Sequence, residues 1–116
     1  MKTTKEVLDH HLKCFANRDL EGVMTDYTAD AVFFGPQGIL RGPDAIKPVF
    51  VAIFAEFAKP GLSFVRKQLL IEGDFAFIVW TAETADNSYE FATDTFVVRN
   101  GKIVAQSFAA KIKPKR

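Results

Sequence analysis

The chain has 116 residues, a formal net charge of +1, 48% hydrophobic residues and 12 phenylalanines. This length suits a single domain with one core, spanning 1–116, and the even charge excludes the basic stripe of a nucleic-acid binder. One cysteine, Cys14, excludes an internal disulfide and a cysteine-built metal centre, and suits a reducing, cytoplasmic compartment.

The start, Met-Lys-Thr-Thr-Lys-Glu, is too polar for a signal peptide, and no stretch is long and apolar enough for a helical membrane span. Thr3 and Glu6 stand at capping-box spacing. Val7, Leu8, Leu12 and Phe15 then recur at helical intervals, with His11 on their stripe and His10 toward the flank. This helix should break near Asn17. Asp19 can cap a short second helix carrying Leu20, Val23, Met24 and Tyr27. Residues 31–34 read as a buried strand, 35–38 as a Gly-Pro turn, and 39–41 as extended. Gly42-Pro43-Asp44 opens a third helix with the stripe Ile46, Val49, Phe50, Ile53, Phe54 and Phe57. Pro48 inside it lacks an N–H, so its regular part is expected only from about Lys47.

From Pro60-Gly61 onward the chain reads as strands over 62–72, 75–84, 89–99 and 102–112, with turns at Gly73-Asp74, Asp86-Asn87 and Asn100-Gly101. The basic end, 111–116, reads as a solvated tail. Helices followed by a meander give an α+β fold: a curved antiparallel sheet wrapped around N-terminal helices. "FAFIVWTAE" and "YEFATDTFVV" are apolar at both parities, whereas a sheet covered on one face alternates. Helices should cover one face and a second copy of the chain the other, giving a homodimer packed sheet to sheet.

The N-terminal helix, "NRDLEGVMTDYTADAVF", "LRGPDAI" and "DTFVVRNGKIV" together resemble the nuclear-transport-factor-2-like superfamily, which includes ketosteroid isomerases and SnoaL-like polyketide cyclases. The resemblance covers almost the whole chain. It implies a cone-shaped fold (cystatin-like, close to an α-β barrel) whose sheet curls around an apolar cavity closed by helices. Because such folds host enzymes, binding modules and transport factors, it implies the fold more than the activity.

Ketosteroid isomerases use a carboxylate base, with a Tyr and a protonated Asp as donors to the enolate oxygen. On this resemblance the base position is Gly35, which cannot take a proton. The Tyr position falls on or near His11, and the oxyanion Asp on Asp94. His11 and Asp94 are therefore the candidate catalytic pair. If the hairpin turns at Asp86-Asn87, Asp94 pairs near Val79 and shares its face with Phe77, Thr81 and Phe96. With Phe15, Tyr27 and Phe54 from the helical side, these form the expected ligand contacts. The same register brings Glu83 and Glu90 together and sends Ile78, Trp80, Ala82, Phe91 and Val97 to the dimer face. A one-residue slip exchanges the two faces and puts Trp80 in the cavity. Gln106 or Ser107 should accompany Asp94, and the pattern does not say which. Asp30 reads as a turn residue and Arg41 as a surface ion-pair former. No metal spacing and no nucleotide motif occurs, so no cofactor is expected. The expected partner is a small apolar molecule, handled by cofactor-free acid/base chemistry or, alternatively, merely bound.

Overall fold

A computed structural model describes residues 2–115. The N-terminal helix α1 (Thr4–Ala16) begins at Thr3, whose hydroxyl accepts from the Glu6 amide while Glu6 returns a bond to the Thr3 amide. Such a box is worth about 1 kcal/mol. The helix ends at Asn17, and Asp19 caps the short α2 (Leu20–Met24) through the Gly22 amide. Tyr27 does not extend α2: it opens strand β1 (Tyr27–Gly35), which returns through β2 (Gly38–Arg41).

Helix α3 (Pro43–Phe57) starts regularly at Pro43, earlier than Pro48 suggested. The missing Pro48 amide affects only the carbonyl of Asp44, four residues back in the first turn, and both residues lie on the exposed side. Pro43 itself suits the first helical position. Strands β3 (Ser63–Glu72), β4 (Phe75–Glu83), β5 (Asn87–Arg99) and β6 (Lys102–Pro114) form the expected meander. Asn100 and Gly101 turn the last hairpin with φ of 52° and 76°, the pair of positive angles that a tight two-residue hairpin needs.

All six strands join one sheet, ordered β2-β1-β6-β5-β4-β3. Only β1 and β6 pair in parallel, a long-range contact absent from the local sequence pattern. The helices pack into the sheet's concave face around Val7, Leu8, Val23, Ile46, Phe96 and Ile103, all almost fully buried. None of the helices among the described residues is long and apolar enough to cross a membrane.

The faces of β4 are exchanged relative to the sequence expectation, whereas those of β5 are as expected. Asp94 pairs with Ile78 rather than Val79, and Trp80 pairs with Ala92. The hairpin closes at Glu83 and Ser88, and one extra residue in β5, Glu90, bulges opposite both neighbouring strands. A register displaced by one residue reverses every side chain. Ile78, Trp80 and Ala82 therefore face inward with Asp94 and Phe96. Phe77, Val79 and Thr81 face outward with Phe91 and Val97. Phe96 stays inside, as expected.

Candidate functional site

Between α1, α3 and the concave sheet lies a hollow of about 70 Å³, space for roughly five waters. Its wall is mostly aromatic, including Phe15, Phe33, Phe50, Phe64, Trp80 and Phe108. The edge-to-face rings of Phe15 and Phe54, 5.4 Å apart, set the helical side. Trp80 stacks on Phe64 at 5.1 Å and near Phe108 at 6.2 Å on the sheet side. Asp94, Gln106 and His11 are the polar residues that reach this wall.

These three belong to one buried hydrogen-bonded chain. The Trp80 indole N–H donates to Asp94 Oδ2 at 2.9 Å, and Gln106 Nε2 donates to Asp94 Oδ1 at 3.0 Å. The Tyr27 hydroxyl donates to Gln106 Oε1 and lies 3.4 Å from His11 Nε2. His11 Nδ1 is 3.0 Å from Asp26 Oδ2, and the same carboxylate holds His10 Nδ1 at 2.8 Å. Burial pushes the Asp94 carboxyl above its usual range, against the Trp80 and Gln106 bonds and the nearby His11, which favour the ionised form. Burial also pushes the Tyr27 hydroxyl well above its usual value, helped by Asp94 and Asp26. Tyr27 is therefore a donor that keeps its proton.

Each Asp94 oxygen accepts one bond from the protein and, as a carboxylate oxygen, can accept another. That spare capacity lies at the hollow. The arrangement fits a single carboxyl that can donate to a ligand oxygen when protonated and accept a proton when ionised.

The structure brings Asp94, His11, Phe15 and Phe96 to the wall of the hollow. Tyr27 stands behind it, spending its hydroxyl on Gln106, and Phe54 supports Phe15 from the core. Phe77, Val79 and Thr81 are moved to the outer face by the register change. Gln106, not Ser107, accompanies Asp94. Glu83 and Glu90 do not meet as a pair: Glu83 bonds Ser88 and Lys115, and Glu90 faces Lys111. A side chain at Gly35 would require its neighbours to shift, since a Cβ there would stand 2.8 Å from the Phe33 ring and 2.7 Å from Oε1 of the exposed Gln37 side chain.

Two features escaped the sequence reading. Asp26, 4% exposed, fixes both histidines from the α2–β1 corner, although nothing in its local pattern pairs it with residues 15 and 16 positions earlier. Cys14 lies 3.5 Å from His10 Nε2, a contact across one helical turn. Burial and then Asp19 and Asp26 push its thiol up, which disfavours a thiolate.

An acid-bearing apolar hollow inside a helix-filled curved sheet defines the class: the cone-shaped nuclear-transport-factor-2-like fold. Within it, the chain belongs to the SnoaL-like domain family, which matches residues 8–106. Among solved structures, an NTF2-like protein of unknown function from Mesorhizobium loti is 24% identical, with a TM-score of 0.78 over 93% of this chain and 90% of that one. A Kribbella flavida protein provisionally called a ketosteroid isomerase is 14% identical, with a TM-score of 0.75 over 93% and 77%. A Sinorhizobium meliloti protein provisionally called a polyketide cyclase is 17% identical, with a TM-score of 0.71 over 89% and 93%. These likenesses show the fold. Among curated proteins, none matches the chain significantly.

Proposed function

We propose that this chain binds a small apolar molecule in the aromatic hollow and acts on it through one acid, Asp94, without a cofactor. The observation that carries this reading is a buried carboxyl with spare hydrogen-bonding capacity facing an apolar wall, fixed by Trp80 and Gln106. Such settings mark acid/base sites. Protonated, Asp94 donates to a carbonyl oxygen; ionised, it takes a proton from the adjacent carbon. The His11 nitrogens face Asp26 and Tyr27, so its role is to position the chain behind Asp94. The missing base at Gly35 favours a second reading, a site that binds without turnover.

The test uses 2-decanone, whose carbonyl end fits the hollow while its tail extends past Phe15 and Phe64 into the adjoining open space, followed by the emission of Trp80, the only tryptophan. Wild type should bind it more tightly at low pH and lose affinity as the Asp94 carboxyl ionises. Asp94→Asn should bind with little dependence on pH. A pH-independent wild type would remove Asp94 from the site, and no saturable binding at any pH would remove the site itself.

The outer sheet face supports a second copy of this chain as a partner. Leu70, Phe77, Thr95, Ser107 and Phe34 form one cross-strand row over five strands, with Phe91 52% and Leu70 55% exposed. Exposed Leu70, Phe91 and Phe34 on one sheet face, among small hydroxyl residues, suit contact with another copy better than with solvent. Phe91→Asp should convert a dimer into a folded monomer by sedimentation; a wild type already monomeric at micromolar concentration ends this reading.

A further inference from the structure

Beside the hollow, and sharing Leu12, Phe15, Phe64 and Ile78 with it, lies a wider cleft of about 460 Å³. Ala16, Phe57 and Leu62 complete its apolar wall, and its only charged lining residues are Arg18 and Arg66. No carboxylate lines it, and among the described residues neither arginine belongs to an ion pair.

Each arginine stands at a local departure from regular structure. Arg18 has φ of 53°, a left-handed conformation that costs a side-chain-bearing residue about 1 kcal/mol. It sits where α1 ends, its amide bonded to the Phe15 carbonyl and the next amide to that of Cys14. Arg66 pairs with Trp80 on the inner face of β3, where an apolar residue would be the rule, and the register shifts just after it at Lys67. Bulges of this kind re-aim side chains and gather near sites.

We propose that the cleft takes the carboxylate end of an amphipathic organic acid, whose apolar body passes Phe15 and Phe64 toward Asp94. This names the ligand class for the hollow-binding reading and rests on it. Two cations on an apolar wall repel each other until an anion arrives, and the guanidinium fork matches a carboxylate with paired hydrogen bonds. The direction follows from burial. A charged group is disfavoured at the enclosed Asp94 end, so the acid stays at the open arginine end while the apolar body fills the aromatic interior. An inorganic anion lacks the body that this wall would cover.

The experiment compares decanoate with 1-decanol at pH 8 by Trp80 emission, in wild type and in Arg18→Gln/Arg66→Gln. Without the arginines the alcohol should bind at least as well, because the carboxylate gives up more hydration. Wild type should prefer decanoate by about tenfold or more, and the preference should weaken as salt is raised. The double variant should lose that preference while keeping its decanol affinity. Equal binding of both probes to wild type, or a preference that survives the double substitution, overturns the carboxylate assignment and leaves the hollow standing. Binding of neither probe overturns both readings.

Discussion

Glu56 and Asp94 each sit in a tyrosine-bearing hydrogen-bonded cluster, and the two clusters are built differently. Glu56 on α3 is the more fully bonded, with three protein donors. Tyr89 donates to its Oε1 at 2.8 Å, and Thr84 and Asn87 donate to its Oε2 at 2.6 and 2.9 Å. Thr84 also accepts from the Asp86 and Asn87 amides, so the cluster staples the β4–β5 turn to the helix. Asp94 receives only two protein donors and keeps its remaining capacity toward the hollow. Burial raises the hydroxyl of the accompanying tyrosine in both places, so each tyrosine stays a donor. What separates a structural acid from a candidate reactive one is the number of bonds left unmade, not burial or neighbouring residue type.

The largest effect expected from this contrast is at Glu56, the more fully bonded acid. Glu56→Ala removes the acceptor of three donors and should lower unfolding stability by about 3 kcal/mol in urea titrations, while decanol binding in the hollow stays intact. A loss below about 1 kcal/mol would mean that the staple is replaced by water. Next in size is Tyr27→Phe. It leaves Gln106 Oε1 buried without its donor and should cost about 1–2 kcal/mol. It should also alter the pH profile of 2-decanone binding, because Gln106 holds Asp94. An unchanged profile would confine Tyr27 to packing.

The smallest effect is the most diagnostic. Burial raises the folded-state Asp94 carboxyl above its unfolded value. The folded chain therefore holds this proton more tightly, and the linked stability is complete below the ordinary carboxylate range. It is lost as pH rises through the folded value. Wild-type stability minus that of Asp94→Asn should fall with rising pH from about pH 4 upward, by no more than about 1.4 kcal/mol per unit. A difference flat across that window would place Asp94 in a water-filled setting. The amide can be accommodated if the side-chain amide of Gln106 turns over, because Gln106 can then accept from it and donate to Tyr27, whose hydroxyl turns to His11 Nε2.

Much of the site was visible before the fold. Asp94 in a strand is costly unless paired or placed at a cavity, and His11 on an apolar stripe had to find partners. Helical periodicity gave Phe15, whereas Phe50 stands at the wall where Phe54 was expected. Phe77, Val79 and Thr81 were misplaced because their assignment hung on counting residues around one turn, and Glu90 takes an extra place there. Gln106 became identifiable only from the β5–β6 register, where Val104 takes an extra place between Ile103 and Ala105.

The sequence by itself determined the Thr3–Glu6 cap, the three helices and the Asn100-Gly101 hairpin. These depend on residue type and on contacts within a few positions, where local energetics are strong enough to read. The tertiary structure decided which face of β4 looks inward, the parallel pairing of β1 with β6, the Asp26 clamp on His10 and His11, and the placing of Arg18 and Arg66 on one cleft. Each joins segments distant along the chain, and a one-residue bulge changes the result with almost no trace in composition or spacing.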